Sequence, residues 1–435
     1  MVDSAASSSQ NANSRRDFLK SSTVAVVGGA VATQFAQPAS VHAAGSDILK
    51  VGLIGCGGRG LGAAVNAMNA EDNVRLTALG DAFRDQVEHA RGVLSKQVGA
   101  KYAVEADHCF AGLDAYQKVI DSGVDVVLLC TPTYFRPVHL KAAIDAGKHV
   151  FCEKPVAVDG PGIRSVLEST RKAKEKKLTI VSGLCWRYDL GVRETIKRIQ
   201  DGEIGDVVTI QENYLTGTLW HRDRQPNWTP MEYQVRNWLY YTWLSGDHIV
   251  EQHIHSLDKA LWLYGDQAPV KCFGLGGRQM RVQEQYGNAY DHFAVCYEWA
   301  DGRKCFSYTR QMSDCANDVD DYVMGTKGRA VVLRHQIQDA KGETTWRYRG
   351  PKPSMYDYEH KELFAGIRSG NIINNGEYMA ASTLMAIMGR EACYTGQNIT
   401  SEQLLKSEVS LGPAKVEWGA AQQVEIARPG ITKSI

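Results

Sequence analysis

The chain has 435 residues, of which 44% are hydrophobic and 23% charged, and its formal net charge is zero. This length allows two domains with buried cores, and the composition excludes an intrinsically disordered chain. The balanced charge gives no sign of a nucleic-acid partner or of a basic membrane-binding surface. The ten cysteines form no Cys-x-x-Cys pair and several lie within apolar runs, so we expect buried free thiols rather than structural disulfides.

Residues 1–44 are typical of an export signal. Paired arginines within Ser14–Lys20 precede a modestly apolar run, Val24–Phe35, and the small residues of a cleavage site follow at Val41–Ala43. The apolar run is too short and too rich in glycine to span a membrane. We therefore expect a twin-arginine signal peptide, recognised by the twin-arginine export machinery, and a periplasmic or otherwise exported protein. The alternative is a disordered basic tail before a weak helix.

Residues 45–178 alternate between predicted strands and predicted helices. Apolar runs predict strands over Ile48–Ile54, Val74–Leu79, Val124–Cys130 and Lys148–Cys152. Between and after them, helices are predicted over Leu61–Asn69, Phe83–Ser95, Pro137–Ala146 and Ile163–Lys176. This alternation predicts an α/β fold that begins with a Rossmann domain, a doubly wound parallel sheet.

The pattern changes in residues 179–435. Strands are predicted, with long loops between them, over Val207–Tyr214, Gln267–Phe273, Ala289–Tyr297, Lys304–Thr309 and Gly328–Leu333. Helices are predicted over Ile249–Leu263 and Tyr378–Tyr394. We expect a C-terminal α+β domain with an open, mainly antiparallel sheet, whose last part packs back on the first domain.

The segment Gly55-x-Gly57-x-x-Gly60 follows the first predicted strand and opens the first helix. In such a turn the first glycine permits the bend, the second lets a pyrophosphate approach, and the third lets the helix pack on the sheet. Asp81 ends the next strand, 21 residues after Gly60, where a carboxylate binds the ribose hydroxyls. The spacing predicts a dinucleotide site, and the carboxylate favours NAD over NADP because it repels a 2′-phosphate.

Loops at the carboxyl ends of parallel strands are where ligands bind in such sheets. Thr131 and Pro132 follow one predicted strand, and Glu153 and Lys154 follow another. The predicted cofactor contacts are Gly55, Gly57, Gly58, Arg59, Gly60, Asp81, Thr131, Pro132, Glu153 and Lys154.

Lys154 is also a candidate catalytic group. A lysine at this edge could donate a hydrogen bond to a hydroxyl undergoing oxidation, or accept its proton if burial lowers the lysine pKa. The alternative is an ordinary surface turn, in which Pro155 only fixes the backbone.

A second candidate lies in the predicted helix Ile249–Leu263. Glu251 and His255 are four residues apart and share a helix face, and Asp258 continues the same stripe. An acid that orients a histidine suits removal of a hydroxyl proton. We predict no metal, because His253 and His255 would lie on opposite sides of the helix. The remaining alternative is a polar helix with hydrogen-bonded histidines.

The stretch between these two motifs is rich in aromatic side chains and arginines. Rings interleaved with arginines suit a sugar, whose C–H faces stack on rings while its hydroxyls form hydrogen bonds. A protein core or an oligomer interface explains the same pattern. The aromatic residues are Trp220, Trp228, Tyr233, Trp238, Tyr240, Tyr241 and Trp243.

Over residues 48–400 the chain resembles the Gfo/Idh/MocA oxidoreductases, typified by glucose–fructose oxidoreductase and inositol dehydrogenase. The resemblance rests on the glycine fingerprint, on the run Ala146–Pro155 and on Glu251-x-x-x-His255-x-x-Asp258. It implies that Lys154 and His255 flank the reacting carbon. The family usually has an aspartate where this chain has Glu251.

The resemblance also implies an oligomer, a dimer or tetramer, built through the open sheet. Arg187-Tyr188 looks like the family's substrate-side segment. The substrate contacts we expect are Arg187, Tyr188, Trp238, His248 and Asp258.

These observations predict an NAD(P)-dependent oxidoreductase that acts on a CH–OH group of a sugar, sugar acid or cyclitol. Because an exported enzyme meets no free NAD pool, we expect tightly bound NAD that is regenerated in each cycle. One alternative is an exported NAD-recycling glycoside hydrolase or lyase, which oxidises a sugar hydroxyl transiently. Another is a non-catalytic carbohydrate-binding protein.

Overall fold

A computed structural model describes residues 47–433 of the chain. The predicted twin-arginine signal lies outside these residues. Within the described part of the chain no helix is long and apolar enough to cross a membrane. All ten cysteines fall within residues 47–433, where they are free, and most are buried.

The first sheet has six parallel strands in the order β3-β2-β1-β4-β5-β6. The strands are β1 (Leu49–Ile54), β2 (Val74–Asp81), β3 (Cys109–Ala111), β4 (Val126–Leu129), β5 (His149–Cys152) and β6 (Ile180–Ser182). The crossover helices are α1 (Gly58–Ala70), α2 (Arg84–Gln97), α3 (Ala115–Asp121), α4 (Arg136–Asp145) and α5 (Gly160–Glu175). The predicted Rossmann sheet is thus confirmed, and β6 lies just after residue 178, the predicted end of the first domain.

The register of this sheet explains where its ligand edge lies. Val51 of β1 pairs with Leu76 on one side and Val126 on the other, and all three are fully buried. The strand order reverses between β1 and β4, which is the switch point at which such sheets bind ligands. Because the strands are parallel, their carboxyl ends bring the fingerprint, Asp81 and the turns after β4 and β5 to one edge.

The second sheet has nine strands in the order β14-β13-β12-β11-β7-β10-β9-β8-β15. Its strands pair antiparallel except β7 with β10, which confirms a mainly antiparallel sheet. They are β7 (Val207–Thr216), β8 (Lys271–Gly277), β9 (His292–Glu298), β10 (Lys304–Gln311), β11 (Asp318–Gly325), β12 (Gly328–Val331), β13 (Gln336–Asp339), β14 (Thr344–Arg347) and β15 (Ile399–Thr400).

The remaining helices connect and cover the two sheets. They are α6 (Leu190–Gln200), α7 (Pro230–Arg236), α8 (Thr242–Ser245), α9 (His248–Glu251), α10 (Ile254–Leu263), α11 (Met355–Ser369), α12 (Gly376–Thr395) and α13 (Ser401–Lys406). The C-terminal part does return to the first domain, since Asp357 of α11 accepts a hydrogen bond from Asn66 of α1 at 2.6 Å.

The helix predicted over Ile249–Leu263 is broken into α9 and α10. In a continuous helix the Glu251 carbonyl would accept the amide of His255. Here that carbonyl accepts a hydrogen bond from Nζ of Lys154, and the His255 amide turns to the carbonyl of Gln252 at 3.3 Å. At the break, the lysine of the first domain therefore binds Glu251, the last residue of α9.

Candidate active site

The fingerprint turn has two kinds of glycine. At Gly55, which has φ +99°, a Cβ would lie 2.6 Å from the carbonyl carbon of Cys130, and at Gly60 one would lie 1.9 Å from the Gly55 oxygen. At Gly57 and Gly58 a Cβ would meet no atom within 4 Å. Gly55 and Gly60 must be glycines because a side chain there would clash, whereas Gly57 and Gly58 leave open space at the start of α1. With no acidic residue in the first turn of α1, this space suits a phosphate.

Asp81 is held at the end of β2 by backbone amides. Its carboxylate accepts hydrogen bonds from the amides of Cys56 at 2.7 Å and Phe83 at 3.0 Å. Burial raises the pKa of Asp81. The carboxylate is thus fixed beside the fingerprint, in the position expected of a group that binds ribose hydroxyls.

The fingerprint and Asp81 line a cavity of about 500 Å³ shared by the two halves of the chain. Eight of the ten predicted cofactor residues line it: Gly55, Gly57, Gly58, Arg59, Gly60, Asp81, Thr131 and Pro132. From the second half of the chain come Leu219, Trp220, Arg222, Val235, Arg236, Trp238, Leu239 and Glu251. The open glycine turn, the fixed carboxylate and the cavity together fit a dinucleotide.

Arg59 and Glu153, both predicted cofactor contacts, bind each other. The Arg59 guanidinium pairs with Glu153 and, at 3.0 Å, with Glu359 of α11. Glu153 also accepts a hydrogen bond from the amide of Lys154 at 3.1 Å. Burial and the nearby Glu153 raise the pKa of Glu359 well above its ordinary value. This network ties the fingerprint helix to the turn that carries Lys154.

Lys154 and Glu251 form an ion pair at the cavity. Nζ of Lys154 lies 3.0 Å from Oε1 of Glu251, and the two side chains are 14% and 16% exposed. Glu251 lines the cavity, and the Lys154–Pro155 peptide bond is cis. Lys154 itself does not line the cavity, so the pair reaches the cavity through Glu251. Both side chains are largely shielded from bulk water, which suits proton transfer to a ligand.

His255 lies close to this pair but is not oriented by Glu251, contrary to our expectation. Within the described chain no hydrogen bond joins the two side chains, because the helix break directs Glu251 to Lys154 instead. The His255 Nδ1 is buried and without a partner. Burial and the positive charge of Lys154 hold the pKa of His255 well below its ordinary value, so the ring is neutral at neutral pH.

Arg187 and Asp258 were predicted as substrate contacts, but the structure pairs them with each other. Nε of Arg187 lies 3.0 and 2.9 Å from the two Asp258 oxygens, and Nη2 lies 2.8 Å from Oδ1. Ser382 donates a further hydrogen bond to Asp258 at 2.7 Å. Their side chains are 8% and 0% exposed. Neither lines the cavity, and the buried contacts that they make with each other and with Ser382 account for their side chains.

Of the other three predicted substrate residues, one lines the cavity and two do not. Trp238 lines the cavity. Tyr188 is buried and donates its hydroxyl hydrogen bond to Asn375 at 2.7 Å, away from the cavity wall. His248 is buried, with Nδ1 3.2 Å from the Asp247 carboxylate, and its Nε2 is without a partner.

Several residues that line the cavity were not predicted as individual ligand contacts. Trp220 belongs to the aromatic stretch predicted to suit a sugar and Arg236 is one of the arginines interleaved with it, but the sequence did not show which members face the cavity. Phe83 gave no signal beyond its place two residues after Asp81. His139 is buried against Thr131, with Nδ1 3.2 Å from the hydroxyl, and burial lowers its pKa to about 3.

Two sequence families match the chain. Residues 49–182 match the oxidoreductase family with an NAD-binding Rossmann fold, and residues 192–331 match the Gfo/Idh/MocA C-terminal domain. Together they cover more than half of the chain.

Three proteins illustrate the similarity. An inositol 2-dehydrogenase of Rhizobium meliloti (strain 1021) is 27% identical over 71% of this chain and 82% of its own length. A 2,7-anhydro-N-acetylneuraminate hydratase of Escherichia coli (strain K12) is 26% identical over 75% of this chain and 77% of its own length. A scyllo-inositol dehydrogenase from Lactobacillus casei, solved with NAD(H) and scyllo-inositol, shares the fold with a TM-score of 0.62 at 18% identity, over 82% of this chain and 100% of that chain. The chain belongs to the Gfo/Idh/MocA oxidoreductase family and combines an NAD-binding Rossmann domain with that family's C-terminal domain.

Proposed function

We propose that this protein is an NAD-dependent oxidoreductase that acts on a CH–OH group of a cyclitol, sugar or sugar acid. The observation that carries the proposal is the Lys154–Glu251 pair at 3.0 Å, whose carboxylate lines the cavity that also contains the dinucleotide fingerprint. Similarity to an inositol 2-dehydrogenase supports the substrate class.

The residues around the fingerprint would hold the cofactor. Gly57 and Gly58 leave room for the pyrophosphate at the start of α1, and Asp81 would bind the ribose hydroxyls. Bound there, NAD would accept a hydride from the substrate carbon. A carboxylate at Asp81 favours NAD over NADP, because a 2′-phosphate would be repelled.

The proton of the oxidised hydroxyl is handled by the groups around Lys154. Lys154 donates to Glu251, which lines the cavity, and we infer that it donates in the same way to a substrate hydroxyl that enters beside Glu251. His255 is neutral at neutral pH and can accept the hydroxyl proton. Glu251 holds the ammonium of Lys154 in place and compensates its charge.

The substrate would lie against an aromatic wall. Trp220 and Trp238 meet edge to face with ring centres 6.2 Å apart, and Arg222 lies over Trp220 at 5.5 Å. All three line the cavity. Rings beside a guanidinium offer stacking to C–H faces and hydrogen bonds to hydroxyls, as a polyol requires.

The test is NADH formation by the purified protein, supplied with NAD, against a panel of cyclitols, aldoses and sugar acids. At least one panel member should give NADH in wild type and none in Lys154→Met. NADH formation that survives unchanged in Lys154→Met would contradict the assigned role.

A second candidate is an exported hydrolase or lyase that oxidises a sugar hydroxyl transiently and returns the hydride in the same cycle. The export pattern in residues 1–44 supports it, because a cofactor outside the cytoplasm must be regenerated in place. So does similarity to a protein named as a hydratase rather than a dehydrogenase. Glycosides that release their leaving group without NADH accumulation would favour this candidate.

Family membership argues against the third alternative, a non-catalytic carbohydrate-binding protein.

The proposed oligomer would form through the open sheet. Phe273 and Phe306 flank Cys296 in one cross-strand row, and Leu275 and Tyr308 flank Ala294 in the next. The four outer side chains are all exposed, so one face presents a contiguous apolar surface. Replacing Leu275 with Glu should dissociate the oligomer in analytical ultracentrifugation. An unchanged sedimentation coefficient would contradict this interface.

A further inference from the structure

A group of side chains joins the two halves of the chain at the wall of the cavity. Arg236 of α7 makes a two-pronged ion pair with Asp85 of α2, with nitrogen–oxygen distances of 3.0 and 2.9 Å. The Arg236 guanidinium also lies 3.8 Å from the ring centre of Phe83. Phe83 and Arg236 both line the cavity. The contact therefore crosses from the C-terminal domain to the Rossmann domain.

The C-terminal tail, residues 407–433, reinforces this contact without forming a helix or strand. Trp418 of the tail packs against Phe83, with ring centres 5.2 Å apart. The tail is fixed to the Rossmann domain, since the amide of Leu411 donates to Asp159 at 3.0 Å. It is fixed to α7 as well, since the amide of Met231 donates to the carbonyl of Gly419 at 3.1 Å.

We name Phe83, Asp85, Arg236 and Trp418 the latch. The latch lies beside the adenosine end of the proposed cofactor site, because the amide of Phe83 donates directly to the Asp81 carboxylate at 3.0 Å. Its single contacts are of modest strength. The Asp85 side chain is 58% exposed, and partly exposed ion pairs and cation–π contacts of this kind open readily at room temperature.

We propose that the latch controls the passage of the dinucleotide into and out of the cavity, so that the cofactor stays bound between turnovers. This inference rests on the proposed function, in which a nicotinamide dinucleotide binds here. Because the latch contacts join protein groups to one another, weakening them favours the open form whether or not cofactor is bound. Entry and exit should then accelerate together, while the equilibrium affinity changes little.

The test is stopped-flow fluorescence of NADH binding to the full-length protein, with dissociation followed by displacement with excess NAD. Three variants weaken the latch: Arg236→Met, Asp85→Asn and Trp418→Ala. Asp85→Asn breaks the same ion pair from the Rossmann domain. It therefore tests the pair without changing α7, in case Arg236→Met disturbs that helix. The matched control is Arg171→Met, which removes an exposed arginine–glutamate pair on α5 that lies away from the cavity.

Each latch variant should raise both the association and the dissociation rate about tenfold, with Kd within about threefold of wild type. The control should match wild type. Unchanged rates would overturn the proposal. So would faster dissociation with an equal loss of affinity, because that result would mean that these side chains bind the cofactor directly. Failure of wild type to bind NADH would instead refute the cofactor site itself.

Discussion

Two cation–carboxylate pairs connect the same parts of the molecule and differ in their surroundings. Lys154 follows β5 and binds Glu251 at the end of α9, whereas Arg187 follows β6 and binds Asp258 of α10. In the first pair Glu251 lines the cavity and each side chain is about one seventh exposed, whereas the second pair is enclosed at 8% and 0% exposure.

The two pairs also differ in how fully they are satisfied. Asp258 receives three contacts from Arg187 and one from Ser382 and is fully buried, so none of its surface is left for a ligand. Glu251 binds Lys154 through one carboxylate oxygen. A saturated, buried pair stabilises the domain junction, whereas an incompletely satisfied pair on a cavity can exchange its partner for a substrate. The first two predictions below test that distinction, and the other two test the cofactor turn and the histidine close to the Lys154–Glu251 pair.

The largest effect is expected from Lys154→Met, which removes the cation paired with Glu251. Loss of a group that handles the proton should lower kcat by about 10³-fold. The melting temperature should change little, because Glu251 remains reachable by water. Steady-state kinetics and differential scanning fluorimetry measure both quantities. A large fall in melting temperature would mean that this pair is structural too.

Arg187→Met should act on stability rather than turnover. It leaves Asp258 charged and buried without its partner, which should cost about 3–5 kcal/mol of unfolding free energy. Urea unfolding measures the loss, with Arg171→Met, at an exposed position of α5, as the control. A raised KM with unchanged stability would mean that Arg187 binds the substrate, and would contradict a purely structural role for the Arg187–Asp258 pair.

The fingerprint offers a matched pair of substitutions. Gly57→Ala places a methyl group in open space, so folding should be unaffected while NADH affinity falls by about tenfold or more. Gly60→Ala drives a methyl group into the Gly55 oxygen and should destabilise the protein by about 1–3 kcal/mol. NADH fluorescence titration and thermal unfolding separate the two effects. Equal NADH affinity in Gly57→Ala and wild type would place the cofactor elsewhere.

The smallest effect concerns the titration of His255. Because its pKa is depressed, the ring is neutral at neutral pH, and kcat/KM should fall only as the pH drops well below the ordinary histidine pKa. Lys154→Met removes a repelling charge and should raise the pKa of His255. An NMR titration of the His255 ring checks both statements. A His255 pKa at the ordinary histidine value would contradict a buried ring beside Lys154. So would a pKa that is the same in Lys154→Met and in wild type.

The parts of the site that depend on local backbone geometry could be predicted from sequence. A glycine turn between a strand and a helix has few solutions, so Gly55, Gly57 and Gly60 reveal their roles by spacing alone. The position of Lys154 after β5 was predicted because a residue that follows a buried parallel strand lies at the ligand edge, while its catalytic role stays a prediction.

The parts of the site that depend on contacts between residues far apart in the sequence could not be predicted. Asp258 lies on the same predicted stripe as Glu251, and only the fold brings Arg187, 71 residues away, against it. At the break between α9 and α10 the Glu251 carbonyl is bound by Lys154, 97 residues earlier in the chain. Strands such as β11 were missed because three aspartates interrupt its apolar pattern, and β15 because two residues carry no periodicity.

The central claim is that the Lys154–Glu251 pair performs chemistry and the Arg187–Asp258 pair does not. The most direct test is single-turnover NADH formation with a substrate found in the panel, measured per molecule of bound NAD in wild type, Lys154→Met and Arg187→Met. Arg187→Met should retain the wild-type rate at a temperature where it is folded, and Lys154→Met should lose about 10³-fold. Equal losses in the two variants, or retention in Lys154→Met, would contradict the account.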